Sequence, residues 1–191
     1  LPLAALKLYA ADRAESYIVQ MALGRALREA QQPDEAMAVF EKAAALVPIA
    51  HGDDSPHAQM AAIAIEKNDR ARATVELTAL VAVDFDNVAA ARLLARLLKE
   101  AGVTDPARLR PVYQRIASVD PFDADAHSML GRLAMQRGEP AVASREFRAV
   151  VALGPVDRAV ALTDLAESYF KEGKRPEARN SSVSLRLSES C

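Results

Sequence analysis

Two histidines and two aspartates lie together in the segment HGDDSPH, and side chains of these types can hold a metal ion. His51, Asp53, Asp54 and His57 would supply imidazole nitrogens and carboxylate oxygens, a ligand set suited to zinc. The same residues also suit a polar turn, in which Ser55 caps the following helix and the aspartates favour its positive N-terminal end. We favour the turn and expect no metal ligands in this chain.

A third histidine, His127, lies near Asp125 at the start of a predicted helix. Nucleophilic chemistry would need a serine or cysteine positioned to use this histidine, and the sequence places none there. The chain also contains no phosphate-binding glycine loop, no HExxH segment and no nucleophile elbow. We therefore expect a protein that is not an enzyme and has no cofactor, in which His127 packs or faces solvent.

Apolar residues recur at the spacing of helices along the whole chain, including the segments that carry these residues. The segment DNVAAARLLARLLKEAG places Val88, Ala91, Leu94, Ala95 and Leu98 on one face of an amphipathic helix. No segment alternates as a strand does, so we predict an all-α chain of about eleven helices. Capping residues before proline mark helix starts and glycines mark helix ends, at Ser55-Pro56, Asp105-Pro106, Gly102, Gly138 and Gly173.

One pattern of small, aromatic and proline residues recurs along the chain. Gly131 is followed after 12, 16 and 24 residues by Ala143, Phe147 and Pro155, and Gly24 begins a copy with the same intervals. A fixed period of this size predicts a solenoid built from helical hairpins. The small residue that opens each copy recurs every 34 to 37 residues, at Gly24, Ala61, Ala95, Gly131 and Ala166.

The repeated positions have packing roles. The two helices of a hairpin approach within about 8–10 Å, which favours small residues such as Gly131 and Ala143 where they cross. The large residue of each second helix is expected to fill the space between one hairpin and the next. These large residues are Phe40, Leu77, Tyr113 and Phe147, and the expected core residues of the first helices are Leu23, Met60, Leu94, Leu130 and Leu165.

The pattern resembles the tetratricopeptide repeat, a 34-residue helix–turn–helix with spaced Leu-Gly, Tyr, Ala, Phe and Pro positions. The segments MLGRLAMQRGEPAVASREFRAVVALGP and ALGRALREAQQPDEAMAVFEKAAALVP match closely, and Tyr169 supplies the tyrosine. The resemblance implies a right-handed superhelical solenoid of about five repeats, in a single domain over residues 1–191. The repeats are expected at approximately 14–50, 51–86, 87–122, 123–157 and 158–191, with residues 1–12 as the tail of a preceding helix.

The resemblance also implies that the first helix of each hairpin lines a concave groove. We expect an acidic or acidic-apolar segment of a protein partner to bind across Arg92, Arg96 and Arg132, with arginine contacting carboxylate. The family's clamp for peptide carboxyl termini uses asparagines that are absent here. The predicted groove residues are Arg25, Arg28, Arg92, Arg96, Lys99, Arg132, Met135 and Phe170, with Met21 and Ile65 as further apolar contacts.

A second interpretation of this face needs no partner. The arginines would then only solvate an open surface, or pair with the nearby carboxylates of Glu29, Glu66 and Glu100. Both interpretations place the arginines on the exposed side of the first helices, so the sequence does not distinguish between them.

Composition narrows the class of partner. The net charge of -2 disfavours a general nucleic-acid binder, and RNA binding by the related pentatricopeptide arrangement fits poorly. No apolar run approaches the roughly 20 residues that span a bilayer. The only cysteine is Cys191, so the chain forms no internal disulfide. We expect a protein or peptide partner, no nucleic acid and no membrane span.

The two ends of the chain lack polar capping helices, which predicts either an excerpt from a longer protein or self-association through exposed solenoid ends. The first case leads to an alternative function. The chain would be a helical accessory region of a larger bacterial enzyme, such as a peptidase, whose catalytic part lies elsewhere. Its Ala- and Arg-rich sequence favours a bacterial origin, and nothing distinguishes cytoplasm from periplasm.

Overall fold

The computed structural model describes residues 1–188, and every regular element in that range is an α-helix. The eleven helices are between 9 and 15 residues long, which confirms the predicted all-α class. None of these described helices combines the length and the apolar character needed to cross a membrane. Cys191 lies outside the described residues. The chain divides into two units between Ala101 and Gly102.

Six helices form the first unit. They are α1 (Leu3–Ala11), α2 (Tyr17–Glu29), α3 (Pro33–Leu46), α4 (Pro56–Glu66), α5 (Arg70–Val83) and α6 (Val88–Glu100). Helices α2 and α3 form one hairpin and α4 and α5 the next, and the hairpins are joined through α3 and α4. Helix α1 packs on α2, and α6 packs on α5. The first unit therefore contains two complete repeats.

The second unit has the same construction. Its helices are α7 (Pro106–Val119), α8 (Ala124–Gln136), α9 (Pro140–Ala152), α10 (Arg158–Glu172) and α11 (Arg175–Ser188). Helices α8 and α9 form one hairpin and α10 and α11 the next, with α9 packed on α10 and α7 packed on α8. The third predicted repeat thus contributes α6 to the first unit and α7 to the second.

The predicted helix starts carry the expected caps. Ser55 Oγ accepts a hydrogen bond from the backbone N–H of Ala58 at 3.3 Å, and Pro56 occupies the first helical position. Asp105 accepts from the N–H of Ala107 at 2.9 Å. These bonds satisfy N–H groups that have no partner within the helix. Four further residues cap helices in the same way: Asp69, Asn87, Asp123 and Asp157.

The turn inside each complete hairpin holds one residue with positive φ, seven positions after the small residue of the first helix. Gly138 and Gly173, with φ of 73° and 84°, were expected to adopt this conformation, as was Gly102 at 67°. Gln31 and Asn68 adopt it too, with φ of 59° and 57°. Residue type predicts the glycine turns and agrees with Asn68, since asparagine tolerates left-handed backbone, but it does not predict Gln31. The repeat spacing was the available signal for Gln31.

In two hairpins, the phenylalanine of the second helix packs on the glycine of the first helix. A β-carbon built on Gly24 would lie 2.5 Å from Cε1 of Phe40, and one built on Gly131 would lie 2.5 Å from Cε1 of Phe147. Both rings are fully buried. As the pattern predicts, each ring shares a core cluster with the next hairpin, Phe40 with Met60 and Phe147 with Leu165, and it also packs on the glycine of its own hairpin.

Five leucine or methionine residues of the first helices were expected in the core, and this prediction is wrong for one of them. Leu23, Met60, Leu94 and Leu165 are buried, but Leu130 is only half-buried. Leu130 lines an open groove, because the α7 residues that line it with Leu130 are short or polar.

Candidate partner-binding surface

A groove of about 750 Å³ in the first unit is lined by residues of the first helices α2 and α4 and by residues of the turns next to them. Arg25 and Arg28 of α2 lie on one side, and Gln59 and Glu66 of α4 on the other. Arg28 donates to Gln59 Oε1 at 2.8 Å and forms an ion pair with Glu66. Arg25 lies 3.7 Å from a carboxylate oxygen of Asp54. Positive charge on α2 is therefore matched by acidic residues of the same unit.

Helix α6 carries the other predicted cations of the first unit. Arg92, Arg96 and Lys99 are all exposed, and their spacing of four and three residues places them on one helix face. The adjacent acid, Glu100, bonds to Arg70 of α5 at 2.8 Å. Within residues 1–188, neither Arg96 nor Lys99 has an ion-pair partner. We call Arg92, Arg96 and Lys99 the α6 cationic row.

The second unit contains three predicted groove residues in different surroundings. Arg132 of α8 donates to Asp164 of α10 from both Nε and Nη2, at 3.3 and 3.2 Å. Met135 is half-buried and packs against the core of its hairpin. Phe170 is 65% exposed and is free to contact a ligand. The charge of Arg132 is balanced within the unit, and Phe170 offers apolar surface.

The two further apolar contacts expected in the groove behave differently. Ile65 is exposed on α4. Met21 is only 4% exposed, because it packs in a core cluster that also contains Ala10 of α1. The prediction that Met21 lines the groove is therefore wrong.

The residues of the HGDDSPH segment have separate partners. His57 bonds through Nδ1 to Glu76 of α5 at 2.7 Å. No group of three or more His, Cys, Asp or Glu residues that could hold a metal ion is found in the described part of the chain. The other three residues contact different groups: Asp54 pairs with Arg25, Asp53 accepts from Asn87, and His51 Nδ1 lies near the carbonyl of Ile49.

A histidine–glutamate pair occurs at equivalent positions of two hairpins. His57 and Glu76 join α4 to α5, and His127 and Glu146 join α8 to α9 at 2.8 Å. Both pairs are separated by 19 residues. That identical spacing within the repeat was the sequence signal for a role of His127 as a link between helices rather than a catalytic residue.

Glu76 is the most buried acid of this network, with 4% of its surface exposed. It accepts from Arg72 Nε at 2.5 Å and from His57 Nδ1, which must carry the proton because an ionised carboxylate only accepts. Burial raises the pKa of Glu76, but the hydrogen bonds from His57 and Arg72 outweigh it and hold the pKa below its ordinary value of 4.5. Arg72 also bonds to Glu41 of α3 at 2.6 Å.

We expect Glu76→Gln to destabilise the first unit in a pH-dependent way. The folded pKa of Glu76 is lower than the unfolded pKa, so its ionised form contributes stability above the unfolded pKa and loses it as pH falls through the folded pKa. The variant should lose about 2 kcal/mol at pH 7, in the range of hydrogen bonds to charged groups. Urea unfolding between pH 7 and pH 3 measures the difference.

The matched control is Glu15→Gln, which neutralises an exposed acid with no ion-pair partner within residues 1–188. Its stability should follow that of the parent at every pH. A deficit of Glu76→Gln that stays constant from pH 7 to pH 3 would contradict the role given to the ionised carboxylate.

Comparison with known proteins agrees with the hairpin construction. The family model described as tetratricopeptide repeat matches residues 19–57. None of the curated proteins matches the sequence of the chain. Because the similar solved structures are below 20% identical to this chain, the likeness concerns the fold alone.

Three examples, each with a TM-score above 0.5, illustrate the likeness. A crystal structure of MamA is 18% identical, with 93% of each chain covered and a TM-score of 0.55. YrrB, described as a TPR protein with an unusual peptide-binding site, is 19% identical, with 93% of this chain and 88% of YrrB covered and a TM-score of 0.52. MamA from Desulfovibrio magneticus RS-1 is 15% identical, with 91% and 95% covered and a TM-score of 0.52.

Proposed function

We propose that this chain, which matches a tetratricopeptide-repeat model over residues 19–57, is a non-catalytic scaffold that binds an acidic or acidic-apolar segment of a partner protein. The α6 cationic row is the observation that carries this proposal. Its exposed charges lie on one face of a first helix, which is the face that the family resemblance assigns to ligands. The peptide-binding site named for YrrB supports a peptide as the ligand.

The α6 cationic row is favoured over the groove between α2 and α4 because of its charge balance. An acidic ligand at Arg28 would have to replace bonds to Gln59 and Glu66. At Arg96 and Lys99 it would instead add carboxylates to cations without ion-pair partners among the described residues. A charge-assisted hydrogen bond contributes about 1.5–3 kcal/mol where it is shielded from water. Two such contacts are sufficient to distinguish an acidic segment from a neutral one.

The test uses two fluorescein-labelled twelve-residue peptides without large apolar residues, one alternating Glu and Ser and the other alternating Gln and Ser. We expect the acidic peptide to bind the chain more tightly, with an affinity that falls as salt screens the charges. Arg96→Glu combined with Lys99→Glu should weaken binding at least tenfold, or about 1.4 kcal/mol. Fluorescence anisotropy gives the dissociation constants, and thermal melting should show nearly unchanged stability.

The control reverses the same amount of charge on second helices. Lys42→Glu with Arg108→Glu changes exposed residues of α3 and α7 that have no ion-pair partner within residues 1–188. This variant should bind the acidic peptide nearly as the parent does. Equal binding of the parent and the Arg96→Glu/Lys99→Glu variant would place the binding surface away from α6.

A further inference from the structure

A side-chain bridge covers the core of the first unit on the side of its second helices. Arg72 extends from α5, and its Nη2 bonds to Glu41 of α3 at 2.6 Å. The same nitrogen lies 3.7 Å from the sulfur of Met60, on the intervening helix α4. Met60 is 2% exposed. The arginine thus joins two second helices over an apolar residue of the first helix between them.

The corresponding place in the second unit has no such bridge. The hairpin α8/α9 repeats α4/α5 with an offset of 70 residues, which places Val142 at the position of Arg72 and Leu130 at that of Met60. Tyr113 of α7 matches Phe40 of α3 in the repeat pattern, which places Gln114 at the position of Glu41. Valine and glutamine cannot form the ion pair. The histidine–glutamate link is nevertheless present in both hairpins, so the difference is confined to the bridge.

The missing bridge leaves a groove of about 460 Å³ between α7, α8 and α9, which we call the α7–α9 groove. Its lining includes the apolar side chains of Leu130, Ala134 and Val142. Leu130 is half-buried, whereas its counterpart Met60 is covered. This volume lies within the usual range of ligand pockets, about 300–1,000 Å³. An apolar side chain from a ligand can therefore occupy the space that Arg72 fills in the first unit.

The rim of the α7–α9 groove is cationic. Arg137 pairs with Glu139 at 3.0 Å, and Arg145 lies 3.6 Å from Glu146. Arg110 of α7 has no ion-pair partner within the described residues. The lining contains three arginines and two glutamates, so the groove retains more positive than negative charge. Carboxylates beside an apolar side chain complement this surface.

We propose that the α7–α9 groove is a second docking site, and that it binds a large apolar side chain flanked by Asp or Glu in a partner polypeptide. The site lies wholly in the second unit, on helices other than α6. It therefore goes beyond the proposed function and does not depend on the α6 cationic row.

The decisive variant transfers the bridge of the first unit to the second. Gln114→Glu with Val142→Arg should restore an ion pair over Leu130 and fill the groove. A phage-displayed library of random twelve-residue peptides is selected on the full chain and counter-selected on this closed variant. Recovered peptides should share a large apolar residue next to Asp or Glu. The synthetic consensus peptide, labelled with fluorescein, should bind the closed variant at least tenfold more weakly than the parent.

A second variant keeps the test informative if the closed variant does not fold. Arg110→Glu reverses the rim charge at a partly exposed position. It should weaken binding of the consensus peptide at least tenfold without changing the melting temperature of the chain. Arg96→Glu/Lys99→Glu is the matched control and should bind this peptide as the parent does. Loss of binding in that control alone would overturn the second site and leave the proposed function standing.

Two other outcomes overturn the inference. One is a selection that yields no discriminating peptide, or yields peptides without carboxylates. The other is binding of a small apolar anion, with decanoate as the probe, that is lost in the closed variant while no peptide binds. The groove would then be a small-molecule site rather than a docking site for a polypeptide.

Discussion

Phe147→Ala is expected to lower the free energy of unfolding of the second unit by about 3–5 kcal/mol, the usual loss for removing a buried aromatic ring. Phe147 is 2% exposed and lies against Gly131, which has no side chain that could fill the vacated space. The surrounding helices can collapse only partly, so a cavity remains. Urea unfolding monitored by circular dichroism measures the loss.

The chain provides a control of the same residue type. Phe170→Ala removes an equal number of atoms from a ring that is mostly exposed, and its stability should change by no more than about 0.5 kcal/mol. Similar losses in the two variants would show that Phe147 is not the central core residue of its hairpin.

Gly131→Leu is expected to destabilise the same hairpin by about 1–3 kcal/mol or more, through overpacking. The β-carbon alone would overlap the ring of Phe147, with three ring atoms within 2.8 Å. The backbone of Gly131 is helical, so leucine would otherwise favour the helix over glycine by roughly 1 kcal/mol. Any net loss therefore measures the steric conflict, and thermal melting or urea unfolding detects it.

A compensating pair tests the cause of this loss. Gly131→Ala with Phe147→Leu reproduces Ala61 and Leu77, which occupy the equivalent positions in the first unit. The double variant should be more stable than the sum of the two single changes allows, because the smaller side chain makes room for the β-carbon. Two results would contradict a contact between Gly131 and Phe147. One is strict additivity of the two single changes, and the other is a Gly131→Leu variant that melts like the parent.

The fold was largely predictable because the repeat makes each local signal occur several times. Helix caps such as Ser55 and Asp105 act through backbone atoms two or three residues away, so the sequence alone locates them. The positive φ of Gln31 could not be predicted from its residue type, because the turn imposes the conformation. Position within the repeat was the better guide.

The candidate site was only partly predictable, since its charge balance depends on contacts between repeats. Helical spacing places Arg92, Arg96 and Lys99 on one face of α6, and these residues are exposed as expected. The ion-pair partners of Arg28 and Arg132 lie 38 and 32 residues away in sequence, so they depend on the side-chain conformations of two packed helices. Met21 was misassigned because α1 contributes to the cluster that covers it.

The contact between glycine and the phenylalanine ring also has an evolutionary consequence. Replacing Gly24 first creates a clash with Phe40, and replacing Phe40 first leaves a cavity, so either order passes through a less stable intermediate. Selection should therefore keep glycine with phenylalanine, and alanine with a different large residue, as in the Ala61 and Leu77 copy. Among homologous chains, these two alignment columns should covary, and their covariation should be strongest in the copies that begin with glycine.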